Sequence, residues 1–111
     1  MNKAQRKRLE ILRDDLLKNP KGFDIKIFKS GNKCCAIGRC PELFPGWQWN
    51  QTGKDYIWPT ITGEQSPLLS ANKFFGTTDK EFQDLFTKLG YPDKPTAKDV
   101  ADKITAKLSL T

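Results

Sequence analysis

Cys34-Cys35-Ala36-Ile37-Gly38-Arg39-Cys40 holds the only three cysteines of the chain, a glycine inside an apolar run, and one basic residue. Its reading decides the fold. The stretch is either a reactive or metal-holding segment around which a small chain folds, or a packing segment inside an apolar core. Structural zinc takes four ligands from Cys and His at short spacings. This chain has no histidine and no Cys-x-x-Cys, so a carboxylate such as Glu42 would have to serve as the fourth ligand. An odd number of cysteines cannot form a complete disulfide framework, and a bond between neighbours Cys34 and Cys35 would strain the backbone. Free thiols packed among apolar side chains are the simpler reading. In a helix Gly38 costs roughly 1 kcal/mol against alanine, so its presence implies that another backbone packs closely over it. The expectation is a short helix over 34–40, halted before Pro41. A thiol-dependent sensor, with an exposed thiolate helped by Arg39 or Lys33, is the competing reading.

Upstream, Phe23-Asp24-Ile25-Lys26-Ile27 alternates apolar with polar between Gly22 and Ser30-Gly31-Asn32, which predicts a half-buried strand over about 23–28. From Lys3 to Lys18 the leucines Leu9, Leu12 and Leu16 recur at helical spacing with charges elsewhere, and Asn19-Pro20-Lys21-Gly22 stops the helix. Downstream, Trp47-Gln48-Trp49 and Tyr56-Ile57-Trp58 flank Asn50-Gln51-Thr52-Gly53-Lys54-Asp55, the pattern of a β-hairpin over about 47–58. With the strand at 23–28 it would form a three-stranded antiparallel sheet. Ser66-Pro67 opens a helix over 67–75 that Gly76 closes. Thr78-Asp79-Lys80-Glu81 is a capping box for a helix over 79–89, with Phe82, Leu85, Phe86 and Leu89 on its inner side. Thr96-Ala97-Lys98-Asp99 starts a last helix over 97–109 lined by Val100, Ile104 and Leu108. The result is a single α+β domain, residues 1–111, with four to five helices packed on a small antiparallel sheet or hairpin.

The 111 residues suit one core, and 37% hydrophobic with 29% charged residues is too rich in core-forming side chains for a disordered chain. No apolar segment reaches the length of a membrane span and no signal core follows the N-terminus, so no membrane partner and a cytoplasmic location are expected. The net charge of +6 is concentrated early. Residues 1–21 hold Lys3, Arg6, Lys7, Arg8, Arg13, Lys18 and Lys21 against Glu10, Asp14 and Asp15. Such a field favours an acidic partner.

Several of these pieces also occur as an ordered set. The leucine-rich first helix is followed by Pro20-Lys21-Gly22-Phe23-Asp24-Ile25, Cys35-Ala36-Ile37-Gly38 and Pro41-Glu42-Leu43-Phe44. Then come Ala71-Asn72-Lys73-Phe74-Phe75-Gly76, Leu85-Phe86 and Pro95-Thr96-Ala97-Lys98-Asp99-Val100-Ala101-Asp102-Lys103-Ile104. This order resembles a family of small uncharacterised proteins found in phages, other mobile elements and bacteria. The resemblance implies a shared fold and a mobile-element origin; the family has no established activity to lend. Ser30 stands where that family places a first cysteine and Thr77 where it places a leucine, and the first departure removes a ligand from any shared metal or disulfide site.

Catalysis is not expected. Histidine is the usual general acid or base near neutral pH, and its absence removes the Ser-His and Cys-His arrangements. The carboxylates Asp14, Asp15, Asp24, Glu42, Asp55 and Glu64 show no spacing that assigns a site, and the glycines lack the residues of a phosphate-cradling loop. The candidate surface is macromolecule-binding. Lys3, Arg6, Lys7 and Arg13 lie opposite the leucine stripe of the first helix, and Trp47, Trp49 and Trp58 with Tyr56 form either core or a one-sided aromatic surface. Arg39 is the one charged member of the cysteine stretch. The expected action is occlusion of a host protein through its acidic surface, with no cofactor; nucleic acid is the alternative partner.

Overall fold

A computed structural model describes residues 1–54 and 56–110. The first helix, α1, spans Lys3–Lys18. It opens with reciprocal capping: the Gln5 amide donates to Asn2 Oδ1 at 2.8 Å and the Asn2 amide to Gln5 Oε1 at 2.9 Å. Leu9, Leu12 and Leu16 fall on one face and are fully buried. They pack mainly against the last helix, α5 (Ala97–Ser109), whose Val100, Ala101, Ile104 and Leu108 turn inward. At its start the Asp99 carboxylate accepts the Thr96 amide, so Asp fills the role a Glu or Gln usually takes.

Between these helices lie α3 (Pro67–Phe75) and α4 (Asp79–Phe86), joined by Gly76 in the left-handed region at φ 73° and by the Thr78–Glu81 capping box. The fourth helix ends before Leu89. Thr87 adopts extended backbone, its hydroxyl donates to the Gln83 carbonyl at 2.7 Å, and Lys88–Gly90 forms a separate 3-10 turn. Leu89 consequently points to solvent, 73% exposed, and leaves the inner side to Phe82, Leu85 and Phe86.

The sheet has two strands, β1 (Trp47–Thr52) and β2 (Tyr56–Ile61), paired antiparallel from Trp47↔Ile61 to Thr52↔Tyr56. It runs longer than the sequence pattern indicates. The base of the hairpin is tied to α3 by the Ile61 amide donating to Ser70 Oγ at 3.0 Å, and Asn50 Nδ2 donates to the buried Thr60 Oγ1 at 2.8 Å. Asp55, part of the expected hairpin loop and one of the carboxylates considered above, lies outside the described residues.

The expected strand at 23–28 is not formed, and the sheet has no third member. Phe23 makes one isolated parallel bridge to Cys34, and the chain then turns back on itself, with the Lys26 amide donating to Asp24 Oδ1 and the Ile27 amide to the Asp24 carbonyl. The alternation that resembled a strand has a different cause. Ile25 enters the core and Phe23 packs against it, while Asp24 between them accepts the amides that close the turn at Ile25 and Lys26. The helix expected over 34–40 is likewise displaced. Cys34 and Cys35 are engaged by this loop, because the Cys34 amide donates to the Gly22 carbonyl at 2.8 Å and the Cys35 amide to the Ile27 carbonyl at 2.6 Å. Helical structure begins only with a 3-10 turn at Ile37–Arg39 and continues as a short α2 (Cys40–Leu43). Pro41 sits in the first turn of α2, where no amide hydrogen is required, so it begins a helix where its effect on the preceding residue indicates a stop.

An aromatic chain joins the start of the hairpin to α3 and α4. Phe44 meets Phe74 edge-on at 4.8 Å, Phe74 meets Phe75 at 5.1 Å and Trp47 at 5.5 Å, and Phe75 reaches Phe86 at 6.1 Å. The fold is α+β, with five α-helices and a two-stranded sheet among the described residues. Among the same residues, no helix is long and apolar enough to cross a membrane.

Candidate binding surfaces

Two of the residues nominated for binding are interior. Arg39 is 7% exposed. Its Nη1 donates to Asp15 Oδ2 at 3.0 Å and to the Asn19 carbonyl at 2.7 Å. The guanidinium therefore fastens the C-terminal end of α1 to the turn before α2. Trp47 is 6% exposed, in edge and tilted contact with Phe74 and Phe75. Both are corrected from surface residues to structural ones, for a shared reason. The sequence shows a charge and an indole without the distant groups, Asp15 in one case and the α3 phenylalanines in the other, that take them out of solvent.

The remaining basic candidates stay on the outside of α1. Lys3 and Lys7 are exposed, and Arg6 and Arg13 are half-buried along its edge. Lys3, Arg6 and Lys7 surround a shallow depression of about 540 Å³ floored by Ala4 and shared with one carboxylate, Glu10. Glu10 stands 3.9 Å from both Arg6 and Lys7, and Arg13 pairs with its neighbour Asp14 at 3.0 Å. At 3.9 Å the exposed Lys7–Glu10 pair contributes little to stability, so Lys7 stays available to a partner. Arg8 is different. It stands at i and i+4 to Leu12, beside the apolar stripe, and it donates to the Phe74 carbonyl at 2.9 Å with its guanidinium 4.2 Å above the Phe74 ring.

The hairpin aromatics do not form one surface. The register sets Trp49 opposite Pro59 and Trp58 opposite Asn50, so alternation sends Trp49 and Trp58 to opposite faces. Trp49 is half-buried, with the Lys29 ammonium 5.7 Å from its ring. Trp58 is half-buried, donates its indole N–H to the Gln65 carbonyl at 3.2 Å, and packs its ring 5.2 Å from that of Tyr56, which is 59% exposed. Tyr56 and Trp58 are the aromatic pair that reaches solvent.

The cysteines separate into two environments. Cys35 and Cys40 are buried, and loss of solvation pushes the Cys35 thiol up to about 11 and the Cys40 thiol well above its ordinary value. Cys34 is half-buried. It lines a recess of about 210 Å³ with Lys21 and Arg39, and a second of about 190 Å³ with Lys29 and Lys33. Among the described residues, no cluster of three or more Cys, Asp or Glu side chains is arranged to hold a metal ion. Sequence reasoning missed Asp15, Asn19 and Lys21 as members of the Arg39 environment. The sole available hint was that Asp15 lies one position before the buried Leu16, at the edge of the helix stripe.

No family model, curated protein or solved structure matches the chain.

Proposed function

We propose that the chain is a small basic accessory protein of a phage or other mobile element, acting without catalysis by binding and occluding a host protein through an acidic surface of that partner. The observation supporting this reading is the outward side of α1, where Lys3, Arg6 and Lys7 line one depression in which Glu10 is the one carboxylate among the described residues. The helix beneath is held by three buried leucines and by Arg8, so the cations are presented on a supported element. Charge presented this way speeds encounter with an opposite surface and makes binding salt-sensitive. The ordered resemblance to mobile-element proteins supports the choice of a host partner. The absence of histidine supports binding over chemistry, and binding of this kind requires no cofactor.

The test compares immobilised wild-type protein with a Lys3→Glu/Lys7→Glu variant in capture from a bacterial lysate, before and after nuclease treatment. The proposal expects a discrete protein that survives nuclease, is lost with the charge-reversed variant, and weakens as salt rises. Retention abolished by nuclease, together with direct binding of oligonucleotides over a steep salt dependence, would replace it with a nucleic-acid partner, for which Tyr56 and Trp58 supply a stacking pair. No discrete, charge-dependent partner overturns both.

A further inference from the structure

We infer that the free edge of β1 is a self-association site, at which a second copy of this chain adds its own β1 antiparallel and the two hairpins become one four-stranded sheet. The two edges of the hairpin are not alike. Pro59 has no N–H, so Trp49↔Pro59 is a pair without ladder hydrogen bonds, and the Thr62 amide donating to the Gly46 carbonyl at 2.8 Å follows the same alternation. Gln48, Asn50 and Thr52 therefore turn their backbone groups towards β2, and Trp47, Trp49 and Gln51 turn theirs outward. Along the outer edge of β2, Pro59 offers no donor and the Ile61 amide is taken by Ser70 Oγ at 3.0 Å, which closes that edge. Along β1 the Trp47 amide turns back to the Phe44 carbonyl at 3.5 Å, but the N–H and C=O of Trp49 and Gln51 have no partner among the described residues.

The strand also lacks the devices that keep an edge solitary. The eleven residues 43–53 include no Asp, Glu, Lys or Arg, the longest such run in a chain that is 29% charged, and β1 has no proline and no bulge in its register. Gln48, Gln51 and Thr52 are exposed beside the free backbone groups.

Charge and register together select a second copy as the occupant. Two chains of net charge +6 repel each other, and this neutral run lets them meet without like charges standing opposite. A two-fold axis beside Asn50 sets Trp49 against Gln51 of the second copy and Gln51 against its Trp49, so every free backbone group of both residues is used. Gln48 then faces Thr52 of the second copy, and Asn50 faces its own counterpart. Amides and hydroxyls both donate and accept, so such residues complement one another across the axis. Sliding the strands either way engages the Trp47 amide, already donated, or Gly53 in the turn.

The test is sedimentation equilibrium of the reduced, full-length protein up to about 1 mM, the range of weak association, at low and high salt. The expected result is a monomer–dimer equilibrium that tightens as salt rises, because salt screens the repulsion between two cationic chains. Binding of an acidic partner through α1 moves the opposite way, so the two readings succeed or fail separately. Two variants at the exposed positions 48 and 52 read the register at high salt. Gln48→Lys/Thr52→Lys sets like charges opposite each other, and Gln48→Lys/Thr52→Glu sets opposite charges there. Their dissociation constants should differ by about tenfold, the second being the tighter. Gln83→Lys/Leu110→Lys adds the same charge as the first at exposed positions outside the hairpin and should weaken the dimer much less. Urea midpoints check that each variant folds. A protein still monomeric at about 1 mM in high salt overturns the inference and leaves the edge to a strand of another protein. A dimer of equal strength in the two edge variants also overturns it, by placing the contact elsewhere.

Discussion

The backbone carbonyl of Phe28 lies directly over Gly38, where a Cβ would collide with the carbonyl group and come within 3.2 Å of Cys34 Cβ. The obstacle is backbone, so it cannot swing aside as a flexible side chain would. Gly38→Ala should therefore destabilise the protein by about 2 kcal/mol or more, as overpacking does, even though alanine is the better helix former. Chemical denaturation of the two proteins checks it. An unchanged midpoint would mean that the 24–28 loop can retreat.

Arg39 and Asp15 form a largely buried pair, 8% and 18% exposed at their side chains. Removing either partner leaves the other charge uncompensated, so Arg39→Ala and Asp15→Ala should each cost about 3 kcal/mol. The double variant should cost clearly less than their sum. A double-mutant cycle in urea measures this. Strict additivity would refute the coupling between α1 and the turn before α2.

The two buried thiols set an alkaline limit. Cys35 titrates near 9 when solvated and at about 11 in the folded chain, and Cys40 moves in the same direction through loss of solvation. A raised pKa means that the folded state keeps a proton the unfolded state releases. The associated stability is complete below about pH 9 and is lost as pH climbs from there towards 11. For Cys35 the loss is about 2 to 3 kcal/mol. Urea midpoints measured between pH 7 and 11 should fall over the upper half of that range, and the fall should shrink in Cys35→Ala relative to its own neutral-pH value.

Trp47 and Trp58 should respond differently to truncation. Trp47→Ala opens a cavity against Phe74 and Phe75 and should cost about 3 to 5 kcal/mol. Trp58→Ala removes a half-buried ring and one hydrogen bond to Gln65, and should cost about 1 kcal/mol. Thermal or urea unfolding separates the two. Comparable losses would place Trp58 in the core.

Local signals were legible where the responsible groups lie within a few residues. Ser66 and Gly76 bracket α3, Thr78 with Glu81 opens α4, and Thr96 with Asp99 opens α5. Each device acts through a side chain and an amide three positions away, or through one backbone conformation, so spacing alone reveals it. Gly38 belongs with them in part: its cost in a helix announces a close neighbour, although Phe28 could not be named from the sequence.

The chain itself determines the buried leucine stripe of α1, the capped helices of its second half, the hairpin and the excess of positive charge. Tertiary structure decided the middle. Residues 22–35 satisfy their amides against one another across a loop instead of along a strand, and that clamp delays helix formation until Ile37 and brings Pro41 to the start of α2. It also decided which candidates face a partner. Arg39 is buried because Asp15, 24 positions earlier, accepts its charge, and Trp47 because α3 supplies two phenylalanine rings. Burial depends on what arrives from elsewhere in the chain, and no local pattern encodes it.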